Sequence, residues 1–538
     1  MIVETTTDRD KNYSRWLFSI TILLLFLTVI YLHNYKLDSI PLGLFFDEST
    51  IGIQASNLSR SGFDIHDEQG PIFFKSDSDY DSPILIYSTA AIFKVLGVSE
   101  YTLRLPNLIF FSIALFLAFY LATRLFKENR FIWVYCIIAF GFLPQLFTIS
   151  RLSFEAISQL ACLAGVCLCV WWAFQQSDAQ PLGFVKPALS GLLLGISVYT
   201  YSTASLLSAL FMLSLLLIYY EKKNLSKLIS LIVACLVALI PYAVFSLKNP
   251  GALTSRFKAI SFLYEQLPFV EKLRIFQSNY FSFWSLDFLI KHGDSNLRHS
   301  TGVGGIVFLS VFILFIIGLA DFFLRLLKKD IDKFRLLLVI NLFVTPIASA
   351  MTSEGNPHAV RAILLGYFMV IISCYGFQRV LSLYNKTVRG ILLVFIFALL
   401  GNEVYKYQFD YFAHYAARSV DAIGSYDFYG AIEFALEEAP NKIVLLDNFP
   451  GIRDNFLFYG RVVDNPNNIP MQVELSVVPE PGLCVIFRRQ SGAEEYLDRY
   501  PIPYDQFTSK YRPTVREKYY GAEPFFGVMK ARCYKDGG

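Results

Sequence analysis

The chain has 538 residues, of which 54% are hydrophobic and only 17% are charged. This composition is too apolar for a soluble enzyme of that size and is typical of a polytopic membrane protein. The 47 basic and 44 acidic residues nearly balance, so no broad cationic surface can form and nucleic acid is not expected as a partner.

Apolar stretches recur along the chain. The first follows Arg9, Lys11 and Arg15 and has no small-residue cleavage site, so it predicts a retained anchor. About eleven stretches are long enough to cross roughly 30 Å of hydrocarbon. They are residues 16–32, 106–126, 131–149, 154–175, 184–200, 203–220, 227–247, 302–325, 334–352, 359–379 and 388–404. Residues 82–97 are apolar but short, which favours an interfacial or re-entrant helix and leaves a twelfth span open.

The basic residues of the short loops predict an orientation, because cytoplasmic loops retain the excess of Lys and Arg. That excess lies in the N-terminus and in the loops at 124–130, 220–227, 325–335 and 379–389. With these segments in the cytoplasm, the long loops 33–105 and 249–301 and everything after residue 402 face the outside of a cell membrane.

Two adjacent acids, Asp47 and Glu48, follow apolar residues at the start of the first outer loop. The lowered dielectric there can raise a carboxylate pKa toward values useful to a general base. The alternative is a helix cap, in which Asp47 or Ser49 caps the next segment, TIGIQASNLSRSG. The apolar spacing of that segment predicts a helix lying along the membrane interface.

Two polar turns follow in later outer segments. Arg151 and Glu155, in SRLSFEA, have the i,i+4 spacing of a local ion pair. The YTYST turn contains Tyr199 and Tyr201, which fit either an aromatic interfacial belt or a sugar site.

Cationic residues stand before two later spans. The loop KHGDSNLRHSTGVGG combines Arg298 and His299 with glycines, which suits a bound phosphate or ordinary headgroup contact. In EGNPHAVRAI, His358 and Arg361 begin a span, where an inward arginine needs an anionic partner and an outward one snorkels. The charge rule puts all these clusters on one membrane face, which favours a shared site. No known metal-ligand spacing occurs, so no obligatory metal is predicted and a divalent metal is left open.

The composition becomes mixed polar after residue 402. A helical stretch at 426–438 and the strand-like runs KIVLLDNF and GLCVIFRR predict a small extracytoplasmic α/β domain. Residues 1–404 are therefore assigned to the membrane module and residues 405–538 to this domain. Cys484 and Cys533 both fall in it, where an oxidising compartment allows a disulfide, and two independent thiols are the alternative.

The ordered motifs resemble the GT-C superfamily of integral membrane glycosyltransferases, in its protein-mannosyltransferase and lipid A aminoarabinose-transferase branch. The resemblance is carried by FFDES, GVSEYTLRLPNLIF, TISRLSFEA, GLLLGISVYTYSTASLL, YFSFWSLDFLIKHGDSNLRHSTGVGG and EGNPHAVRAI. It implies a GT-C membrane fold with interfacial helices in the first outer loop.

The resemblance also implies an inverting transfer of a sugar from a polyprenyl-phosphate donor to an extracytoplasmic lipid, glycan or protein acceptor. By analogy, Asp47 is the general base, Glu48 assists or positions it, and Glu155 stands near a second family acid. The residues assigned to the donor phosphate and sugar are Lys75, Arg151, Arg298, His299, His358, Arg361, Tyr199 and Tyr201.

One departure concerns the first outer loop, where many relatives carry Lys-Pro-Pro or His-Pro-Pro and this chain has DYDSPIL. Ser82 replaces the basic residue, and Lys75 is predicted to substitute for it. Asp77, Asp79 and Asp81 in this loop are interpreted as a solvated acidic face, with a role in acceptor selection left open.

The alternative function is a transporter or flippase of a lipid-linked saccharide. Such a protein would place polar residues deep within spans of both halves of the molecule. The mid-span segments here are largely free of acids and bases, which disfavours it.

Overall fold

The computed structural model describes residues 4–76, 79–175, 184–353, 355–423, 427–438, 440–447, 452–463, 465, 469–488, 492–508 and 529–535. It shows a helical membrane part followed by a small sheet domain.

The membrane part begins with α1 (Glu4–Asn34), α2 (Phe46–Ser61), the two-stranded hairpin β1 (Phe74–Lys75) and β2 (Tyr80–Asp81), and α3 (Pro83–Leu96). It continues with α4 (Glu100–Leu125), α5 (Arg130–Phe142), α6 (Pro144–Ser150), α7 (Ala156–Gln175), α8 (Val185–Ser197), α9 (Ala204–Tyr219), α10 (Leu225–Ala238) and α11 (Ile240–Lys248). The remaining helices are α12 (Ser255–Ile260), α13 (Phe269–Ser282), α14 (Leu309–Leu327), α15 (Lys333–Val344), α16 (Ile347–Ala350), α17 (Leu364–Leu381), α18 (Lys386–Asp410) and α19 (Ala416–Ile423).

Seven helical segments of the described chain are long and apolar enough to cross a membrane, and two bent helix pairs raise the count to nine. The bends are 52° between α5 and α6 and 41° between α10 and α11, and a proline begins or nearly begins the second helix of each pair. The two predicted stretches that remain are the shorter apolar helices α8 and α9. Each of the eleven predicted stretches coincides with helix, and the prediction of a polytopic helical membrane protein is confirmed. The described chain has seven to nine segments of spanning length in place of about eleven, because α8 and α9 have only 13 and 16 residues.

Helix α3 has 14 residues. At 1.5 Å per residue it is shorter than the hydrocarbon layer, which agrees with an interfacial or re-entrant helix and not with a twelfth span.

The sheet domain contains α20 (Phe428–Glu437), β3 (Lys442–Leu446), α21 (Ile452–Val462), β4 (Met471–Glu474), β5 (Leu483–Arg488), α22 (Ala493–Leu497), β6 (Tyr504–Thr508) and β7 (Met529–Tyr534). Its strand order is β4-β3-β5-β7-β6, with β3 parallel to both neighbours and β7 antiparallel to β5 and β6. Alternate residues of β3 and β5 face opposite sides, so α20 and α21 cover one face and α22 the other.

The helix and the two strands predicted in this domain are confirmed as α20, β3 and β5, with residues 426, 448, 449 and 489 outside the described chain. Cys484 and Cys533 lie opposite each other on β5 and β7 and form a disulfide. The domain boundary predicted between residues 404 and 405 falls inside α18. The chain stays helical from there through a π-helical turn at Tyr411–Tyr415 to the end of α19, because apolar and aromatic residues continue on its buried side.

Candidate active site

Asp47 is the second residue of α2, and its carboxylate has no hydrogen bond or ion pair within the described chain. Arg256, Arg298 and His299 are the cationic groups that act on it, and Asp79 opposes them. Burial raises the pKa of Asp47 above its ordinary value, and the cations offset this only in part. Asp47 is therefore a half-buried carboxylate with both oxygens available to a substrate.

Arg298 lies beside Asp47 on the ring of Phe45, with its guanidinium carbon 3.7 Å from the ring centroid. Its Nε donates to Asn296 Oδ1 at 3.1 Å, whereas neither Nη atom has a hydrogen-bond partner among the described residues. Burial lowers the pKa of Arg298, although an arginine stays charged in proteins. Its two NH₂ groups can therefore donate to an anion.

His299 and His358 come from separate loops and lie against each other, with ring centroids 4.3 Å apart. Asp294 joins the two loops, because its Oδ2 bonds His299 Nδ1 at 2.9 Å and accepts the Ala359 N–H at 2.8 Å. Burial, followed by the charges of His299 and Arg361, lowers the pKa of His358 well below its usual value. His358 is therefore neutral at pH 7.

Arg361 follows His358 by less than one turn, and its Nη1 donates to Thr352 Oγ1 at 2.8 Å. Tyr201 is half-buried near Arg361 and Glu155, and desolvation raises the pKa of its hydroxyl. The structure thus brings four predicted cationic or polar residues, Arg298, His299, His358 and Arg361, to the side of Asp47, with Tyr201 next to them.

A second group of acids comes from the β1–β2 hairpin and the segment before α7. Asp79 is buried and accepts from Arg256 Nη1 at 2.7 Å. Glu155 Oε1 accepts the N–H of Ser82, the N-cap residue of α3, at 2.6 Å. The glutamate thus binds the backbone of the residue that precedes α3.

Two acids of this group, Asp81 and Glu155, hold their protons unusually strongly. Burial, reinforced by Asp79 and Asp47, raises the pKa of Asp81 to about 8. Burial and then the nearby Asp81 raise the pKa of Glu155. The interpretation of Asp79 and Asp81 as a solvated face is therefore wrong, because the hairpin turns both toward the site. Asp77 lies outside the described residues.

Glu48 is fully buried and points away from Asp47 toward α4. Its Oε1 accepts from Arg104 Nε at 3.0 Å and from the Ser153 N–H at 2.8 Å. Its Oε2 accepts from Arg104 Nη2 and from the Phe45 N–H, both at 3.2 Å. A carboxylate has about four lone-pair sites, so Glu48 has none left for proton transfer. It positions the start of α2.

Arg151 is a correction to the sequence-based assignment, because the structure turns it away from the site. All five N–H groups of its guanidinium are directed at protein acceptors: the carbonyls of Leu32, His33, Tyr35 and Lys36 and the hydroxyl of Tyr411. Leu32 and His33 lie in the last turn of α1, where carbonyls have no partner within the helix, and Tyr35 and Lys36 directly follow that helix. Arg151 therefore caps a helix and has no donor for a phosphate.

Tyr199 and Lys75 are also not brought into the site. The Tyr199 hydroxyl donates to the Ala238 carbonyl at 2.9 Å and accepts the Tyr242 N–H at 2.8 Å, and its ring packs on Phe73. Lys75 is exposed, because β1 turns Phe74 inward and successive strand residues alternate. Arg256 provides the cation near the hairpin instead.

An apolar cavity lies within the membrane part directly beyond these residues. It is bounded by α7, α8, α9, α15 and α17 and includes Gln159, Leu207, Phe211 and Leu364. Gln159 is four residues after Glu155, and Leu364 is three residues after Arg361. The cavity is small, about 20 Å³, and part of its lining follows closely in sequence on residues of the polar cluster.

Asp294, His299 and His358 are the residues that could hold a metal, with ligand atoms within 4.8 Å of one another. However, Asp294 Oδ2 already accepts two hydrogen bonds, and Arg298 and Arg361 flank the histidines. This charge distribution fits an anion better than a cation.

No protein-family model and no curated protein sequence matches the chain. Solved structures do resemble it. ArnT from Cupriavidus metallidurans bound to undecaprenyl phosphate matches with a TM-score of 0.57 at 12% identity, over 96% of this chain and 98% of ArnT. Its apo form gives 0.55 at 10% identity, over 97% and 98%. An Archaeoglobus fulgidus oligosaccharyltransferase tethered with an acceptor peptide gives 0.50 at 12% identity, over 86% of this chain and 64% of that one. The chain therefore shares its overall fold with ArnT over nearly the full length of both proteins.

Three residues at or near the candidate site were missed from the sequence. Arg104 could have been found, because an arginine inside an apolar span requires a partner. Asp294 shares a short loop with His299 and was overlooked beside the more prominent cations. Arg256 carries no local signal, since only the folded loop brings it to Asp79.

Proposed function

We propose that the protein is an inverting glycosyltransferase that moves a sugar from a polyprenyl-phosphate donor to an extracytoplasmic acceptor, with Asp47 as general base. The observation that carries the proposal is the unpaired Asp47 carboxylate beside the cluster of Arg298, His299, His358 and Arg361. Transfer from a sugar phosphate requires a base for the acceptor and, close to it, cationic groups that bind the leaving phosphate.

In this mechanism the acceptor hydroxyl or other nucleophile attacks the anomeric carbon from the side of Asp47, which takes its proton. The bond from that carbon to the phosphate oxygen breaks on the opposite side, and its electron pair leaves with the phosphate. Arg298, His299 and Arg361 stabilise the released charge. A phosphate is a good leaving group, so no acid has to protonate it. One direct displacement inverts the anomeric centre.

The neighbouring groups have distinct assignments. Glu155, whose pKa is raised, and Tyr201 offer hydrogen bonds to sugar or acceptor hydroxyls. Arg256 holds Asp79 and tempers the negative charge around Asp47.

The lipid donor is supported by the mainly apolar lining between α7, α8, α9, α15 and α17, where a cavity of about 20 Å³ would widen to admit a prenyl chain. Leu364 of this lining lies three residues after Arg361, so a chain held there would carry its phosphate toward the cationic cluster. The GT-C fold is shared with ArnT, whose structure contains undecaprenyl phosphate. The proposed orientation, with the N-terminus in the cytoplasm and the site outside, follows the distribution of Lys and Arg.

The test uses the purified full chain in lipid vesicles with a panel of undecaprenyl-phosphate sugars and a membrane extract of the producing cells as acceptor. Release of undecaprenyl phosphate measures transfer. Asp47→Asn keeps the size and hydrogen bonding of the side chain and removes its basicity. We expect it to lower release by about 10²–10⁴-fold, the usual contribution of a general base.

The control is binding of undecaprenyl phosphate itself, which Asp47→Asn should retain. Undiminished release by this variant would refute the assignment of Asp47. Movement of lipid-linked sugar across the vesicle bilayer without modification of any acceptor would instead support a transporter.

A further inference from the structure

The sheet domain touches the helix that carries Asp47. The Ser49 hydroxyl of α2 donates to Asn455 Oδ1 of α21, and the Thr50 hydroxyl can donate to Asp454 Oδ2 at 2.8 Å or to the Phe46 carbonyl at 3.0 Å. Ser49 and Thr50 lie two and three residues after Asp47, in the first turn of α2. Both contacts therefore act on the turn that presents the proposed base.

The packing of the two helices is as close as the side chains allow. Gly52, one turn further along α2, has no side chain, and a Cβ there would lie 2.5 Å from the ring of Phe458 on α21. Phe458 and Asn455 are both buried. Because the ring fills the space beside the glycine, α2 cannot slide along α21 without losing this contact.

The opposite side of the same turn is fixed by the membrane part through the ion pair between Glu48 and Arg104 of α4. Helix α21 also reaches α4 directly, since the Tyr459 hydroxyl donates to Glu100 Oε1 at 2.5 Å. The first turn of α2 is thus held between α4 and α21, and both of these helices are tied to each other.

We infer that Thr50 and Asp454 are positioning residues for the transfer reaction and that the sheet domain, through α21, sets the location of the Asp47 carboxylate. The inference rests on the proposed role of Asp47 as general base. It goes beyond that role by making the C-terminal domain a part of the catalytic machinery. Neither residue is assigned contact with the donor or the acceptor.

The experiment is a double-mutant cycle with Thr50→Val, Asp454→Ala and the double variant, measured for turnover and for binding of undecaprenyl phosphate by the full chain in vesicles. Each single change should lower turnover by on the order of 10- to 100-fold, because small misplacements of a catalytic group have effects of this size. The double variant should fall no further than the single ones, since all three lack the same contact. Undecaprenyl phosphate binding should stay at the wild-type level in all three.

Two controls separate positioning from general damage. Thr50→Ser keeps the hydroxyl and should restore turnover. Arg453→Ala changes an exposed residue next to Asp454 on the same helix and should leave turnover unchanged. Wild-type turnover in Thr50→Val, additive losses in the double variant, or a parallel loss of undecaprenyl phosphate binding would each overturn the inference. If Thr50→Val fails to fold, Asp454→Ala with its Arg453 control still decides the question.

Asp47→Asn is measured alongside. Undiminished turnover in that variant would refute the proposed function itself. An inactive Asp47→Asn together with a fully active Thr50→Val would refute only the positioning by α21.

Discussion

The guanidinium of Arg104 and the carboxylate of Glu48 form a two-point ion pair, Nε to Oε1 at 3.0 Å and Nη2 to Oε2 at 3.2 Å, with neither side chain exposed to solvent. Arg104 also donates to the carbonyls of Leu37, Pro41 and Gly43. Arg104 and Glu48 therefore join α4, the segment between α1 and α2, and the start of α2, and so fix the backbone next to Asp47.

Removal of Arg104 should destabilise the protein strongly, because it leaves a buried carboxylate without its counter-charge. We expect Arg104→Ala to lower the free energy of unfolding by about 3–5 kcal/mol. Arg274→Ala is the matched control, since its pair with Glu271 is exposed and 3.9 Å long, and it should cost under about 1 kcal/mol. Denaturant unfolding in detergent measures both. Equal stability of the two variants would contradict the role given to the ion pair.

Arg151 and Arg298 should separate into a structural and a functional arginine. Arg151→Lys replaces a guanidinium with five donors by an ammonium group with three. The carbonyls at the end of α1 then lose hydrogen-bond partners, and the melting temperature should fall. Arg298→Ala removes two unengaged Nη groups, so binding of undecaprenyl phosphate should weaken while the melting temperature stays close to that of the wild type. Calorimetry of binding together with thermal unfolding tests the pair. Weaker binding in folded Arg151→Lys, or unchanged binding in Arg298→Ala, would reverse the assignment.

These two arginines also show how far the sequence could predict the site. Both stand in short polar turns next to apolar spans, and local pattern gave them the same role. Arg151 is distinguished by its bonds to carbonyls at and just after the end of α1, more than 100 residues away; the Leu32 carbonyl, for example, is 119 positions distant. The difference between the two arginines depends on tertiary contacts, which the residues next to each arginine in the sequence do not reveal.

The helices and the acids of the motifs were predictable because their signals lie in the local sequence. An apolar run of about 20 residues has few alternatives to a membrane helix, because its backbone must satisfy its own hydrogen bonds in lipid. Asp47 was found because it follows such a run. The domain boundary was not, since α18 continues past Asn402 into polar sequence, where amphipathic packing sustains the helix.

Activity should rise with pH through a range above that of an ordinary aspartate. The proposed base must be ionised, and burial raises the pKa of Asp47 above its reference value of 3.8. The acid limb of kcat/KM should therefore lie at higher pH than this reference. Asp79→Asn removes a neighbouring negative charge and should move the limb to lower pH. A limb at the reference value, or a shift to higher pH in this variant, would contradict the environment described for Asp47.

Stability should show the reverse dependence on pH because of Asp81. Its pKa is about 8 in the folded protein against a reference of 3.8, so the folded state retains a proton that the unfolded state releases. The stability that the protonated Asp81 carboxyl contributes to the folded state is fully present below about pH 4 and is lost as the pH rises through about 8. Asp81→Asn should flatten this decline of the melting temperature, whereas Asp498→Asn, on the exposed side of the sheet domain, should not. An identical decline in wild type and Asp81→Asn would refute the burial of this carboxyl.

The apolar cavity should discriminate donors by chain length. Ser208 on α9 borders the cavity and bonds Ser197 at 2.5 Å, so Ser208→Phe fills the cavity and obstructs its widening for a prenyl tail. Ser205 lies one turn earlier on the same helix, is exposed and does not border the cavity, which makes Ser205→Phe the matched control. We expect Ser208→Phe to weaken binding of undecaprenyl phosphate by about 10-fold or more, the scale on which a steric change in an apolar pocket acts. Binding of a short prenyl phosphate such as farnesyl phosphate should change little, because its phosphate reaches Arg298 and Arg361 without a long tail between the spans.

Equal losses for the long and the short lipid would indicate a distorted polar cluster instead of a blocked cavity. An unaffected long-chain lipid would place the tail on another face of the helix bundle.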